Sequence, residues 1–232
     1  MSPIKGIKAI SFDGDGTLWD FEKVMVHSLN EVLKELERID PETASLLSIE
    51  KMIGVRNDVA AKYRGRIIDL ERIRLMSFQE SLKAVNRPND DLAIRLNEVY
   101  LKHRFEDMEL FEDVLPTLEW LRKRYTIGLI SNGNSFPDRL GLENIFQFTI
   151  FPKDLGVEKP DPRIFHHGLK VAGCSADEML HVGDSINDDI RGAVNAGIKG
   201  VWLNRKGTEN RSGHVVEYEI GSLFDLIELL GI

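Results

Sequence analysis

Lys8-Ala9-Ile10-Ser11-Phe12-Asp13-Gly14-Asp15-Gly16-Thr17-Leu18-Trp19-Asp20 is the stretch on which the reading of this chain turns. An apolar run stops at two aspartates with one glycine between them, and a second glycine follows. Carboxylates that close repel unless a cation sits between them or one carries a proton. The run therefore reads as a buried strand that delivers acid groups at its carboxyl end. A hairpin turn at Asp-Gly is disfavoured, because the following "LWDFEKVMV" does not alternate as a returning strand would. A calcium loop of the EF-hand kind is disfavoured too: Thr17 and Leu18 stand where an acid and then a glycine are required.

Further short apolar runs extend the pattern outward. Thr126–Ile130, Phe148–Phe151, Met179–Val182 and Ile198–Leu203 join Ile7–Phe12 as candidate buried parallel strands. Helical patterns lie between them. Leu115, Leu118 and Leu121 are read as one helix face; Asp161-Pro162 is an N-cap with proline at the first helical position, opening a helix to about Val171. Ser185 to Asp188 fits a capping box for another helix, which Gly197 would end. Strands alternating with helices predict an α/β sheet wound by right-handed crossovers.

One region breaks the alternation. From Phe21 to Asp107 the pattern is helical throughout, with rows at Leu29/Leu33/Leu36, Leu70/Ile73/Leu82/Val85 and Leu92/Leu96/Val99/His103. Shorter pieces are expected at Ala44–Ile53 and Asn57–Tyr63, leaving Arg56 and Asn57 in a gap. The reading is a discontinuous α/β core, residues 1–20 and 108–232, interrupted by a helical module at 21–107.

Composition narrows the function. A chain of 232 residues with 42% hydrophobic content can bury a sizeable core. A net charge of −8 argues against a nucleic-acid partner, which would call for a basic face. No apolar run approaches the roughly 18 residues of a membrane span, and "MSPIKGIKAI" lacks the apolar centre of a signal peptide. Cys174 is the lone cysteine, so neither an intrachain disulfide nor a cysteine metal cluster can form. These features together predict a cytoplasmic protein that does not bind membranes. They leave open whether it is a monomer or a dimer.

In open α/β sheets ligands gather where the strands end. The residues expected there are Asp13, Gly14, Asp15, Gly16 and Thr17 after the first strand, Ser131-Asn132-Gly133 after the second, and Gly183-Asp184-Ser185 after the fourth. Asp188 and Asp189 follow one helical turn on, and Lys159 precedes the Asp161-Pro162 helix.

These motifs resemble those of the haloacid dehalogenase superfamily, in its phosphatase branch with a helical cap. The Asp-x-Asp-Gly-Thr motif stands at Asp13–Thr17, the hydroxyl motif at Ser131 in "LISNG", the lysine motif at Lys159 in "KPDPRIF", and the acidic motif in "GDSINDD". The order matches, and the helical insertion falls where that branch carries its cap. The resemblance implies a Rossmann-like, three-layer core with a central parallel sheet. It implies that Asp13 attacks phosphorus and forms an aspartyl-phosphate, while Asp15 protonates the leaving oxygen and then activates water. Mg²⁺ would be held by the Asp13 and Asp184 carboxylates and the Asp15 carbonyl. Ser131 and Lys159 would bind the phosphoryl group, and Asn132 would reach the same pocket or orient it. Asp188 and Asp189 are both outer acids on this reading.

The expected function is thus hydrolysis of a small phosphate ester. A phosphomutase of the same fold is the nearest alternative. A 2-haloacid dehalogenase is less favoured, because those relatives need no metal and lack the second aspartate. Arg56, Asn57, Arg64, Trp19, Phe21 and Phe136 are candidates for facing a substrate, with helix surface or core packing as the plainer reading.

Overall fold

The computed structural model describes residues 3–231. Met1, Ser2 and Ile232, assigned above to the ends of the core, lie outside the described residues. The described residues form one six-stranded sheet from β1 (Ala9–Phe12), β2 (Thr126–Ile130), β3 (Phe148–Ile150), β4 (Met179–Gly183), β5 (Lys199–Leu203) and β6 (Tyr218–Ile220). Every pairing is parallel, and the order is β3-β2-β1-β4-β5-β6. All four residues of β1 are buried, so both faces of the sheet are covered at its centre. In this strand order the winding reverses between β1 and β4, and the crevice at their carboxyl ends is where a ligand fits.

Four strand limits differ from the sequence reading: β4 runs one residue further, to Gly183, and the other three are shifted or shortened. β1 begins at Ala9, β5 begins at Lys199, and β3 gives up Phe151, which precedes a short helix. β6 was not anticipated. "YEI" is short, lies at the sheet edge and has an exposed central residue, so it carries too little apolar pattern to register.

The chain divides into two compact units, Met1–Asp20 with Leu110–Ile232, and Phe21–Glu109. The second unit is helical: α1 (Phe21–Ile39), α2 (Pro41–Ala44), α3 (Ile49–Tyr63), α4 (Leu70–Ala84) and α5 (Asp90–Glu106). Side chains of Asp40, Ser48, Asp69 and Asn89 cap α2 to α5 by accepting backbone N–H groups left over at the helix starts. Leu29, Val32, Leu36, Met52, Phe78, Leu82, Leu96 and Tyr100 make its core. Each such side chain contributes about 1.5–3 kcal/mol by leaving water. The expected gap at Arg56 and Asn57 is absent, because α3 runs unbroken through both. Gly54 reads as a break in sequence, but an interior glycine costs only about 1 kcal/mol. Burial of Met52 and Val59 on the same helix offsets it.

The sheet unit carries α6 (Val114–Leu121), α7 (Pro152–Leu155), α8 (Pro162–Ala172), α9 (Arg191–Asn195) and α10 (Phe224–Leu229). Ile164 and Phe165 of α8 and Ala193 of α9 pack with Ala9, Ile130, Ile150 and Met179 over one face of the sheet. In α6 the buried row is Val114, Leu118 and Leu121, while Leu115 is exposed. Steps of three residues drift, leaving Leu115 and Leu121 about 120° apart around the helix, whereas residues seven apart differ by only about 20°. Asp161 caps α8 as expected, with Pro162 at its first position. The two ends of the helical unit leave the sheet unit side by side. Trp19 pairs antiparallel with Leu110, and the Phe111 N–H donates to the Leu18 carbonyl at 3.1 Å. No helix of the described residues is long and apolar enough to cross a membrane.

Candidate active site

Asp13 leaves β1 beside β4, its N–H donating to the Val182 carbonyl at 2.8 Å. Its carboxylate is nearly buried, and Lys159 Nζ lies 2.6 Å from Asp13 Oδ1. The same ammonium reaches Asp189 Oδ1 at 2.5 Å. Lys159 is only 1% exposed, which burial alone would not permit a charged group. Burial pulls its ammonium down, but Asp13 and Asp189 outweigh that and hold it above its ordinary value. Asp189 is buried as well, yet Lys159 and then His181 keep its carboxyl below the usual range. Asp13 goes the other way: burial, together with Asp189 and Asp184, raises it well above that range against the pull of Lys159.

Behind this cluster runs a chain of buried polar groups absent from the sequence reading. His181 Nε2 lies 3.2 Å from Asp189 Oδ1, and His181 Nδ1 lies 2.9 Å from Ser11 Oγ. Ser11 and His181 face each other in the β1–β4 register. Burial holds the imidazole below its usual value, and Asp189 opposes that. The signal was available: a serine in "AISF" and a histidine in "MLHVG" interrupt apolar strands, and buried polar groups find partners.

Asp15 faces a different wall. Trp19, wholly buried, donates its indole N–H to Asp15 Oδ1 at 2.5 Å. Trp19 is thereby removed from the candidates for substrate contact and becomes the group that aims Asp15. A Cβ at Gly133 would come within 2.9 Å of Asp15 Oδ2, and one at Gly14 would strike the Trp19 ring and come within 3.2 Å of Ser131 Oγ. The loops after β1 and β2 therefore approach each other as closely as backbone allows, which requires glycine at both places. Ser131 Oγ accepts the Gly133 N–H at 3.1 Å.

Asn132 is committed to the main chain of Lys159. Its Nδ2 donates to the Lys159 carbonyl at 2.9 Å, and its Oδ1 accepts the Lys159 N–H at 2.7 Å.

The acidic motif is built on an unusual turn. Ser185 Oγ accepts the Asp188 N–H at 3.1 Å, as a capping residue should. The backbone then makes a π-helical turn, Ile186–Ile190, ahead of α9. That wider turn moves the reciprocal acid one place on, so Asp189, not Asp188, accepts the Ser185 N–H, at 2.9 Å. Asp189 thus enters the cluster with Lys159, while Asp188 accepts from Asn187 at 2.8 Å.

Asp184 is exposed at the end of β4. A Cβ at Gly16 would collide with its carboxylate, so the loop after Asp15 lies directly against it. Although the side chain keeps solvent access, surrounding protein and the charge of Asp189 push its carboxyl up to about 7. Carboxylate oxygens of Asp13, Asp184 and Asp189 lie within 4.8 Å of one another. Two of these three acids are thereby disfavoured as anions, and oxygen donors this close suit a hard divalent cation such as Mg²⁺. The partners of Asp189 are already assigned, which leaves Asp13 and Asp184 as the carboxylates with most to gain from such an ion.

Parallel α/β winding, acid groups at the β1–β4 reversal and a buried lysine joining them define a hydrolase of one particular kind. Residues 7–197 match the family model described as haloacid dehalogenase-like hydrolase, and the chain belongs to that family. It is 28% identical to human N-acylneuraminate-9-phosphatase over 97% of this chain and 94% of that protein. It is also similar to the solved 2-haloacid dehalogenase of Pseudomonas syringae pv. Tomato DC3000, with 32% identity, a TM-score of 0.77, and 97% and 98% of the two chains covered. The fold is shared with the HAD-hydrolase YfnB of Bacillus subtilis, solved bound to magnesium and described as revealing interdomain movement. That match has 22% identity and a TM-score of 0.81, with 98% and 100% of the two chains covered.

Proposed function

We propose that this chain is a Mg²⁺-dependent phosphatase that hydrolyses a small phosphorylated metabolite through an aspartyl-phosphate on Asp13. The observation that carries the reading is the second carboxylate, Asp15, aimed by the Trp19 indole and bordered by Ser131 and Gly133. A halide leaves as a stable anion and needs no proton, whereas an alkoxide leaving phosphorus does. A site for halide displacement therefore has no use for a positioned second acid, and a phosphatase does.

In the proposed sequence an Asp13 oxygen attacks phosphorus, the ester P–O bond breaks, and Asp15 gives its proton to the leaving oxygen. Asp15 then takes a proton from water, whose oxygen attacks phosphorus, and the bond to Asp13 breaks to release phosphate. Lys159 and Ser131 bind the phosphoryl oxygens, Lys159 with the N–H not directed at Asp13 or Asp189. Asn132 fixes the Lys159 main chain, and Asp189 with His181 fixes its ammonium. Asp13, Asp184 and the Asp15 carbonyl are the proposed holders of Mg²⁺, which when bound supplies the positive charge that lets carboxylates and a phosphoryl group share one pocket. The helical unit serves as the cap that selects substrate, in a protein we place in the cytoplasm on its acidic charge and lone cysteine.

The second reading, a 2-haloacid dehalogenase, is favoured by the 32% identical solved structure. One pair of assays separates the two. Phosphate release from a panel of phosphate monoesters should require Mg²⁺ and stop in chelator, with no halide released from chloroacetate. Halide release undiminished by chelator would reverse the assignment.

A further inference from the structure

The helical unit carries a second group of ligand-type side chains. His27 lies in the second turn of α1, His103 in the last turn of α5, and Asp107 caps that helix. A single oxygen, Asp107 Oδ2, lies 3.0 Å from His27 Nε2 and 2.8 Å from His103 Nδ1. The two rings meet edge to face with centroids 5.7 Å apart. The three ligand atoms fall within 4.8 Å of one another, and the side chains are 46%, 24% and 40% exposed, open to an ion from solvent.

We propose that His27, His103 and Asp107 form a binding site for a first-row divalent transition cation such as Zn²⁺, with water as the fourth ligand. Two imidazole nitrogens and one carboxylate favour Zn²⁺, Cu²⁺ or Ni²⁺ and disfavour Mg²⁺, which takes oxygen. The metric fits. Metal–ligand bonds of about 2.0–2.1 Å in a tetrahedron place the donors about 3.3 Å apart. The two separations from Asp107 Oδ2 are a few tenths of an ångström shorter, so Asp107 need only draw back slightly from each imidazole, and the two imidazole nitrogens lie within 4.8 Å of each other. His103 and Asp107 stand one turn apart on one helix, and His27 comes from the helix packed against it, so no loop has to be reorganised. Glu31, one turn beyond His27, is close enough for Lys34 first, and then both imidazoles, to lower its carboxyl. Its negative charge favours a cation at this place.

The location gives such an ion a consequence. α1 starts where the chain enters the helical unit, and Asp107 lies just before it leaves, beside a Lys23–Glu109 ion pair of 2.6 Å. A bound cation ties the entering and leaving ends of the unit to each other.

Cu²⁺ is the probe, added to the full chain with Mg²⁺ in excess to fill oxygen sites. Electron paramagnetic resonance should show one equivalent coupled to two nitrogens, unchanged in Asp184→Ala and lost in the His27→Ala/His103→Ala double variant. His27→Gln and His103→Gln, which keep size and helix, should each leave coupling to one nitrogen. Zn²⁺ affinity by calorimetry should weaken at least about tenfold in the single variants. A wild-type signal without nitrogen coupling would mean that the histidines merely pair with Asp107. Two-nitrogen coupling that survives in the double variant would put the ion on other histidines. Either result overturns the site.

Discussion

Asp15 and Asp184 are the two residues whose neighbours say most about the chemistry. Asp15 has its direction set by Trp19, so its loss should be felt through proton transfer. Asp15→Asn is expected to lower kcat for alkyl phosphates by about 10²–10⁴. Aryl phosphates, whose leaving groups need less protonation, should lose much less. Equal losses for both substrate classes would mean that Asp15 acts through structure alone. Asp184 makes a prediction about stability. Its folded-state carboxyl is pushed up to about 7 by the protein packed around it and by Asp189, so between the ordinary carboxylate value and about 7 this group holds more protons in the folded chain than in the unfolded one. The contribution of Asp184 to stability must then fall as pH rises through that window. In chelator, the melting temperature of the wild type should drop more between about pH 5 and about pH 8, from within that window to above it, than that of Asp184→Asn, and Mg²⁺ should narrow the difference. Parallel curves for the two proteins would refute this account of Asp184.

At the level of elements, β2 is tied to β3 by the absence of a side chain. A Cβ at Gly128 would run into the Phe148 ring on the neighbouring strand. Gly128→Ala should cost about 1–3 kcal/mol in urea unfolding, as overpacking does. A cost under about 0.5 kcal/mol would show that the Phe148 ring moves aside freely. Most of the sheet was legible in the sequence because β1, β2, β4 and β5 are nearly continuous apolar runs that end at acids, hydroxyls or turns. β6 was not, since an edge strand of three residues has too little burial to leave a pattern. The site divides in the same way. Asp13, Asp15, Ser131 and Asp184 stand out in the sequence because they directly follow strands, and Lys159 because it precedes the Asp161-Pro162 helix start. His181 and Ser11 lie within strands, away from the strand ends where ligands gather. The choice between Asp188 and Asp189 depended on a π-helical turn, which shifts the register by one residue and has no signature in residue type. Leu115 was placed on the wrong side of α6 because spacing by threes imitates a helical face without being one.

Across the whole molecule, the chain is a sheet unit in two pieces with one long helical excursion between them. The helical unit has its own apolar core, built from Met25 to Tyr100, and its own capping residues. Such a unit should unfold as a cooperative body, visible as a block of amides with a common exchange rate. Protection that varies smoothly across α1 to α5, with no common rate, would contradict that independence. The Trp19–Leu110 bridge has a consequence for the path of the chain. Because the two strands of chain already lie antiparallel and hydrogen-bonded at that point, they form the base of a hairpin whose loop happens to be the entire helical unit. A turn of about two residues could close the same hairpin. The excursion therefore begins and ends at a single hydrogen-bonded point of the surrounding backbone, so its length places no demand on the path of the chain through the sheet unit.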